Sequence, residues 1–449
     1  MPTIVLIGAG SASFTRGLVA DLIQDTTLGP WDLRLVDTDP QALKTALGLS
    51  QRLVQSKEAT IKITASTDRR QVLPGADVVV TTIGVGGRRA WEADVFIPRR
   101  YGIYQPVGDT AMPGGISRAM RMIPALVAIA RDVADLCPAA LFINYSNPMT
   151  ANCWAIRRAT GVPVIGLCHG TFHVEGQLAA FIGAPPEQMT ALYAGVNHLT
   201  FLYDLRWQGR DAWPLVRARL AQERGQSYDN HLLENLAPPD NAFAAAENPF
   251  SWSLFATYGA YPAVNDRHVV EFFPERFPQG QYYGKILGRD TFSFEGTIAG
   301  GDQGYAAMQA QASGQAPLDE RFFARAAGEH EKLLDILRDL DTDGRRIYAV
   351  NLPNQGAVPN LPADAVLELP ALATATGLRP FHLPDFPNPL AAIITRKLTA
   401  IQLTVEAALQ ADRGLFVEAL LADGAIADAD RARQLVDDLL QAHAQYIQW

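Results

Sequence analysis

Cysteine and histidine are residue types that often bind metal ions. Cys168 and His198 each follow a run of apolar residues. A thiolate and an imidazole are ligands for zinc, iron or manganese, although three or four ligands would be a clearer signal than two. Two protein ligands leave coordination positions open for water and substrate oxygens, as a Lewis-acid site requires. Without further context, a buried cysteine and a capping histidine are more often structural. The pair therefore predicts a metal site only where neighbouring motifs supply the rest of the chemistry.

A second pattern is the segment Gly8-Ala9-Gly10-Ser11-Ala12-Ser13. It lies between a short apolar run and a stretch whose apolar residues have the spacing of a helix. The first glycine permits a tight turn, the second lets the backbone approach a pyrophosphate, and the helix N-terminus offers N–H donors to that anion. Ser13 replaces the usual third glycine, but an acid after the second strand, Asp37, can accept from the ribose 2′-hydroxyl and favours NAD over NADP. The alternative is a glycine turn in an unrelated α/β fold. The predicted cofactor-binding residues are Gly8, Gly10, Ser11, Phe14, Asp37 and Gly84.

The elements that must position these residues alternate between strand and helix over residues 1–196. Runs with strand character occur at 3–7, 33–36, 61–65, 76–83, 140–144 and 162–167. Such alternation predicts an α/β fold with a parallel, doubly wound Rossmann sheet, which binds ligands at the carboxyl ends of its strands. Gly84, Asn147 and Cys168 all follow predicted strand ends, so we expect them to share one site. We predict a Rossmann domain at 1–196 and an α+β substrate and metal domain at 197–449.

The composition is that of a globular protein, with 449 residues, 48% apolar and 19% charged, and a formal net charge of −9. This charge argues against a nucleic-acid partner, and no apolar run approaches the length of a membrane span. The three cysteines are too few and odd in number for a disulfide framework, and the first apolar run is too short for a secretory signal. We therefore expect a cytoplasmic protein with Cys137 and Cys153 in its core.

Four motifs occur in order along the chain, namely Gly8-Ala9-Gly10-Ser11, Asn147-Pro148, Cys168-His169-Gly170 and Gly195-Val196-Asn197-His198. Together they resemble glycoside hydrolase family 4, and the late segment 350–356 resembles that family's C-terminal half. The resemblance covers nearly the whole chain. It implies the lactate/malate dehydrogenase fold and a requirement for NAD and, usually, Mn²⁺. We also expect a homodimer or homotetramer that acts on a small sugar.

The chemistry implied by the resemblance differs from the paired-carboxylate route of most glycosidases. NAD takes a hydride from C3 of the sugar, the C3 ketone acidifies the C2 proton, a base removes that proton, and the aglycone leaves from C1. A metal that bridges O2 and O3 absorbs the developing negative charge, and the hydride finally returns. The alternative is an NAD-dependent hydroxy-acid dehydrogenase of the same fold, which would accumulate NADH and would not need Cys168 and His198.

The resemblance also implies roles for individual residues. Cys168 and His198 match the metal ligands, and Asn147 matches a residue that contacts substrate hydroxyls. Asp109 falls where relatives carry an acidic residue near the substrate. His169 stands where several members carry the candidate general acid, and it could act as the acid or bind the leaving-group oxygen.

The resemblance offers two residues for the base. The segment 261–268 matches the region that supplies it, with Asp266 as first choice and Tyr261 as second. Without the resemblance, an ion pair between Asp266 and Arg267 would be an equally good interpretation.

The predicted substrate is an α-linked uronide, because 168–171 and 266–272 resemble the uronide-cleaving branch of the family. A guanidinium binds a carboxylate through two parallel hydrogen bonds, so Arg89 or Arg267 is predicted to read the sugar carboxylate. Arg88 and Arg89 follow a glycine-rich strand end, and contact with cofactor phosphates or full solvation are alternatives for both. His173 is expected on a helix surface rather than at the metal.

Overall fold

The computed structural model describes residues 1–12, 14–25, 27–168, 170–224, 248–320, 323, 331–447 and 449. The strands in these ranges are β1 (Thr3–Ile7), β2 (Trp31–Val36), β3 (Ile61–Ser66), β4 (Val78–Thr81), β5 (Leu141–Asn144), β6 (Val164–Gly166), β7 (Met189–Val196), β8 (Leu199–Trp207), β9 (Arg210–Asp211), β10 (Tyr261–Pro262), β11 (Gln281–Tyr282), β12 (Lys285–Ile286), β13 (Ile347–Pro353), β14 (Val366–Thr374) and β15 (Gly377–Pro380). The helices are α1 (Phe14–Gln24), α2 (Pro40–Ser56), α3 (Gly87–Arg100), α4 (Met112–Leu136), α5 (Met149–Thr160), α6 (Gly170–Ile182), α7 (Trp213–Arg224), α8 (Pro249–Tyr258), α9 (Asp266–Val269), α10 (Phe294–Ser313), α11 (Glu331–Thr342), α12 (Asn388–Gln410), α13 (Arg413–Asp423) and α14 (Ala429–Ala442).

The N-terminal strands form a parallel sheet in the order β3-β2-β1-β4-β5-β6. Both β1 and β4 are buried along their whole length, as expected for strands that are covered by helices on both faces. The strand order is that of a Rossmann dinucleotide-binding sheet, in which the order reverses between β1 and β4. The prediction of a parallel, doubly wound sheet in the N-terminal half is confirmed.

Beyond β6 the same sheet continues with antiparallel pairing, in the order β13-β14-β7-β8-β10. Strands β13 and β14 come from the C-terminal part of the chain, yet they lie between β6 and β7. The predicted domain boundary after Val196 falls in the turn between β7 and β8, which pair with each other. Residues on both sides of that boundary therefore contribute to one sheet.

Helices cover both faces of this sheet and bury its apolar side chains. One layer contains α4, α5, α12 and α13, with Ile123, Leu126 and Leu420 fully buried. The opposite layer contains α1, α2 and α11. Cys137 and Cys153 are buried in the first layer, as predicted. None of the described helices is both long and apolar enough to cross a lipid bilayer.

Candidate active site

A glycine turn and an acidic residue meet at the carboxyl ends of β1 and β2. Gly8 has a φ of +95°, and a β-carbon there would lie 2.7 Å from the carbonyl carbon of Thr82. A β-carbon on Gly10 would lie 2.8 Å from Oδ2 of Asp37, and the Gly10 amide donates to that oxygen at 2.8 Å. Only glycine fits both positions without a shift of its neighbours. The turn leaves the open backbone surface that a pyrophosphate requires, so these residues fit a dinucleotide.

The other predicted cofactor residues lie around the same end of the sheet. The hydroxyl oxygen of Ser11 accepts from the amide of Phe14 at 3.4 Å, at the start of α1. The Phe14 ring packs against the ring of Tyr145, with centroids 4.6 Å apart. Gly84 follows β4, and a β-carbon on it would lie 3.5 Å from a guanidinium nitrogen of Arg118. Arg118 therefore borders the cofactor end of the sheet.

Three ligand-bearing side chains, those of Asp109, His198 and His268, meet near this end of the sheet. Their ligand atoms all lie within 4.8 Å of one another, which singles them out among the described residues as a possible metal group. Asp109 precedes α4, His198 lies in the β7–β8 turn with a φ of +68°, and His268 belongs to α9. Ligands at about 2.0–2.2 Å from one ion lie no more than about 4.4 Å apart, so a small inward movement suffices to bind it.

Hydrogen bonds hold Asp109 in place from two sides. Thr110 donates its hydroxyl proton to Oδ1 at 2.7 Å, and the side-chain amide of Asn147 donates to Oδ2 at 2.9 Å. The Thr110 hydroxyl oxygen also lies 3.0 Å from Nδ1 of His198. Because that hydroxyl already donates to Asp109, it accepts from Nδ1–H, which leaves Nε2 of His198 as the ligand atom.

The charge of Asp109 is stabilised by its surroundings. Burial raises the pKa of its carboxyl, but His198, His268 and Arg118 outweigh burial, and the pKa lies below its ordinary value. Arg118 also donates from Nε to the carbonyl oxygen of Asn147 at 3.0 Å. The geometry therefore presents an ionised carboxylate and two imidazoles, a donor set that suits manganese or zinc.

Cys168 does not belong to this group of three among the described residues, although the sequence paired it with His198. It is partly exposed just after β6, with Sγ 3.7 Å from the position that a β-carbon on Gly170 would take. His169, the predicted general acid, lies outside the described residues. His173 is exposed on α6, in agreement with the expected helix-surface position.

Asp266, the first choice for the base, instead caps the N-terminus of α8. It is fully buried, and its oxygens accept from the amides of Phe250 and Ser251, each at 2.8 Å. The Ser251 hydroxyl at 2.5 Å and the Tyr282 hydroxyl at 2.6 Å complete four hydrogen bonds. A carboxylate has about four acceptor sites, so none remains for a substrate proton. These contacts therefore do not support Asp266 as the base.

Tyr261, the second choice, is also a core residue. It is 1% exposed, and its ring packs against Trp252 and Phe255 with centroid separations of 4.7 and 6.4 Å. Burial raises the pKa of its hydroxyl well above the ordinary value. A buried phenol of high pKa is rarely ionised at neutral pH, so the structure does not support Tyr261 as the base either.

Arg89, one of the two predicted carboxylate readers, pairs with acidic side chains on the surface. Its guanidinium lies 2.8 Å from Glu92 and 2.6 Å from Asp302 on α10. Arg88 also pairs with Asp302, at 2.5 Å. Two carboxylates already occupy the guanidinium of Arg89, which therefore does not support its predicted contact with a sugar carboxylate.

Arg267, the other residue predicted to bind the sugar carboxylate, lies in α9 next to His268. Its Nη2 donates to the hydroxyl oxygen of Thr297 at 2.7 Å, and none of the residues that the structure describes accepts from its buried Nε. A buried donor without a partner is unfavourable unless a ligand supplies the acceptor. Arg267 therefore retains capacity for an anionic ligand group.

The sequence reasoning did not select two positions in the segment 266–272, namely His268 as a candidate metal ligand and the buried Glu271. Glu271 is 1% exposed, and Oε1 accepts from the amides of Val107 and Gly108 at 2.7 and 2.8 Å. Burial raises the pKa of Glu271 to about 8, although both amides act to lower it. This carboxyl fixes the loop that carries Asp109. From the sequence alone, the resemblance places the chemistry of this segment on Asp266 and not on His268 or Glu271.

Residues 3–184 match the sequence profile of the family 4 glycosyl hydrolases, and residues 193–426 match the C-terminal domain of that family. The chain belongs to glycosyl hydrolase family 4. One family 4 relative, an alpha-galacturonidase from Bacillus subtilis (strain 168), is 31% identical over 451 residues, which cover 98% of this chain and 97% of the relative. An alpha-galactosidase from Rhizobium meliloti (strain 1021) is 29% identical over 458 residues, which cover 99% and 89%.

Solved structures extend this comparison. The lplD protein of Bacillus subtilis has a TM-score of 0.84 at 29% identity and covers 98% of this chain and 100% of its own. A 6-phospho-alpha-glucosidase from gut microorganisms, solved with NAD and Mn²⁺, has a TM-score of 0.84 at 17% identity over 99% of each chain. Malate dehydrogenase from Cryptosporidium parvum has a TM-score of 0.51 at 14% identity and covers 91% of this chain and 99% of its own.

At such low identities the last two structures establish the fold alone. They confirm the predicted malate dehydrogenase-like architecture, with an N-terminal Rossmann sheet and a further C-terminal part. The family match decides between the two predicted enzyme classes, because it identifies a glycoside hydrolase and not a hydroxy-acid dehydrogenase.

Proposed function

We propose that this protein is an α-glycosidase that depends on NAD and a divalent metal, and that its substrate is an α-linked uronide. The observation that carries the proposal is the Asp109, His198 and His268 group at the same end of the sheet as the glycine turn. A relative named alpha-galacturonidase supports the substrate class, and a structural neighbour solved with NAD and Mn²⁺ supports the cofactors.

The dinucleotide would be held by the turn at Gly8 and Gly10, with its pyrophosphate at the N-terminus of α1. Asp37, beside Gly10, would accept from a ribose hydroxyl in place of the Gly10 amide. Bound there, the nicotinamide would supply reversible hydride transfer with the sugar. Ser11 keeps the first turn of α1 in place through its hydrogen bond with the Phe14 amide.

The metal would be held by His198, which the family resemblance predicts as a ligand and which lies close to Asp109 and His268. Asp109 and His268 join it through their positions within 4.8 Å, and Cys168 is proposed as a further ligand from the resemblance. When bound, the ion stabilises negative charge on substrate oxygens. Thr110 orients both the carboxylate of Asp109 and the ring of His198.

Asn147 is proposed to bind a sugar hydroxyl through its carbonyl oxygen. Its amide nitrogen donates to Asp109, whereas Oδ1 is buried and has no hydrogen-bond partner in the described part of the chain. An unsatisfied buried acceptor costs about 1–3 kcal/mol, and a substrate hydroxyl that donates to Oδ1 removes this cost. Arg118 holds the Asn147 backbone in position for that contact.

Arg267 is proposed to read the uronide carboxylate. Its Nε–H has no acceptor among the described residues, and Arg267 lies next to His268 in α9. A hydrogen bond to a charged group contributes about 1.5–3 kcal/mol, which corresponds to a rate factor of about ten to more than a hundred.

The test is kcat/KM for aryl α-galacturonide, α-glucuronide, α-galactoside and α-glucoside, assayed with NAD, Mn²⁺ and a reductant. We expect the wild type to prefer a uronide and Arg267→Ala to lower the uronide-to-neutral ratio about tenfold to a hundredfold. Arg276→Ala, which changes an exposed arginine on the following turn, is the matched control. A wild-type preference for a neutral sugar would contradict the proposed uronide specificity. If the wild type hydrolysed none of the four substrates, the proposed α-glycosidase activity itself would be contradicted.

The cofactor requirement has its own test. We expect hydrolysis to need catalytic amounts of NAD, with no net accumulation of NADH, because the hydride returns to the product. Full activity of enzyme stripped of nucleotide would contradict the proposal, as would steady NADH production.

A further inference from the structure

One row of residues crosses the seam between the parallel and antiparallel parts of the sheet. Gly166 of β6 pairs with Asn351 of β13, Asn351 pairs with Glu368 of β14, and Glu368 pairs with Gly195 of β7. Cys168 lies just beyond Gly166, and His198 lies just beyond Gly195. Neighbouring strands are about 4.8 Å apart, so about 14 Å separates the two ends of the row. The segments that carry Cys168 and His198 therefore start from strands that do not touch.

The side chain of Glu368 links these two segments. It is 3% exposed, and Oε1 accepts from the hydroxyl of Thr171 at 2.6 Å. Oε2 accepts from the side-chain amides of Asn197 and Asn351 at 3.1 and 3.2 Å. Thr171 lies in the first turn of α6, shortly after Cys168, and Asn197 directly precedes His198. One carboxylate thus joins both ligand-bearing segments to β13 and β14.

The asparagine contacts indicate that this carboxylate does more than stabilise the fold. Both Asn197 and Asn351 donate from their amide nitrogens to Glu368, and their buried Oδ1 atoms have no hydrogen-bond partner among the residues described. Unpaired buried acceptors are unfavourable, and a buried carboxylate among neutral donors is seldom more stable than a well-packed apolar residue. Stability alone would not favour this arrangement, whereas fixed spacing of two ligand segments would.

We propose that Glu368 is a positioning residue that sets the placement of the His198 turn relative to the segment after Cys168, and so determines the metal affinity of the site. The inference rests on the proposed function, because it requires His198 to bind the metal. Residues that support metal ligands in this way typically change metal affinity or activity by about 10–100-fold when they are replaced.

The experiment compares Mn²⁺ binding by the wild type and by Glu368→Gln, both prepared free of metal. Mn²⁺ affinity is measured from the electron paramagnetic resonance signal of free Mn²⁺, and NAD affinity and the thermal midpoint are measured in parallel. We expect Glu368→Gln to weaken Mn²⁺ binding about 10–100-fold and to leave NAD affinity within about twofold. Gln presents an amide where Thr171 or the two asparagines require an acceptor, so the linkage fails without a change in volume.

The matched control is Asp339→Asn, another change of a buried carboxylate to an amide. Asp339 is 3% exposed on α11 and accepts from the Tyr348 hydroxyl at 2.8 Å and from Arg346. We expect this control to lower the thermal midpoint and to leave Mn²⁺ affinity unchanged. Equal weakening of Mn²⁺ binding by both variants would overturn the inference, because the effect would then be one of general stability.

Two further outcomes separate this inference from the proposed function. Wild type that binds no Mn²⁺ overturns both, whereas tight Mn²⁺ binding by wild type and by Glu368→Gln alike overturns only the positioning role. Thr171→Val removes one of the three donors at nearly constant volume. If Glu368→Gln does not fold, weaker Mn²⁺ binding by Thr171→Val supports the inference, and unchanged binding overturns it.

Discussion

The side-chain amide of Asn147 donates to the carboxylate of Asp109 across 2.9 Å. Asn147 follows β5, and Asp109 lies in the loop before α4, so two separate motifs of the chain meet in one hydrogen bond. The residue proposed to bind a sugar hydroxyl and a residue proposed to bind the metal therefore form one unit. A change in either one is expected to affect both the sugar and the metal.

Replacement of Asp109 tests this unit. Asp109→Asn removes the negative charge and sets one amide against another at Asn147, so we expect Mn²⁺ affinity to fall at least about tenfold while NAD affinity is retained. Calorimetric titration of each ligand measures both effects. Asp135→Asn, whose side chain is 62% exposed, is the control. Wild-type Mn²⁺ affinity in Asp109→Asn would remove Asp109 from the ligand set.

The ligand set can be resolved by comparing Cys168→Ser with His268→Ala. We expect both variants to bind Mn²⁺ more weakly and to lose metal-dependent activity, with NAD binding nearly intact. A cobalt-substituted enzyme provides the direct readout, because a thiolate ligand gives a charge-transfer absorption band that Cys168→Ser would abolish. If that band is absent from the wild type, the set reduces to Asp109, His198 and His268.

Asp37 is expected to select the dinucleotide. Asp37→Ala removes the acceptor for the ribose 2′-hydroxyl and the charge that repels a 2′-phosphate, so NAD affinity should fall and the preference over NADP should shrink. Fluorescence titration with both nucleotides measures this ratio. The control is Asp39→Ala, which removes the cap of α2 and should cost about 1 kcal/mol of stability without changing the ratio. An unchanged ratio in Asp37→Ala would contradict the assignment.

Glu271 predicts a pH dependence of stability. Its pKa is raised to about 8 from an ordinary value of 4.5, so the folded state favours the protonated form. Its contribution to the free energy of unfolding is fully present below about pH 4.5 and is lost as the pH rises through about 8. Thermal midpoints between pH 5 and 8.5 should therefore fall less steeply for Glu271→Gln than for wild type. Glu275→Gln, an exposed acid nearby, should keep the wild-type slope.

Local pattern was sufficient for the N-terminal strands. The runs predicted at 33–36, 61–65 and 140–144 correspond to β2, β3 and β5, because short stretches of adjacent or alternating apolar residues are typical of strands. The glycine turn follows β1, Asp37 follows β2 and Asn147 follows β5. Because the carboxyl ends of parallel strands lie at one edge of a sheet, the sequence predicts that these residues lie at the same edge. Helix α4 begins at Met112, and Pro113 lies in its first turn, where the missing N–H of proline costs no intrahelical hydrogen bond.

Tertiary contacts explain what the sequence could not predict. The insertion of β13 and β14 between β6 and β7 depends on pairing between distant residues, which leaves no trace in local periodicity. Asp266 has the same residue type and neighbours whether it removes a proton or caps a helix. Only its hydrogen bonds with Ser251 and Tyr282, brought in by folding, distinguish the two roles.

The interleaved sheet also constrains the order of events during protein synthesis. Strand β6 is complete at Gly166, but its partner β13 begins only at Ile347, which is 347 − 166 = 181 residues later. At a translation rate of about 5–20 residues per second, the edge of β6 remains unpaired for roughly 10–40 s before β13 is synthesised. An unpaired strand edge is a template for aggregation, so the nascent chain is most vulnerable in this interval. A chain that ends before β14 would contain the glycine turn at Gly8 and Gly10. It would lack Glu368, whose carboxylate accepts hydrogen bonds from Thr171 and Asn197.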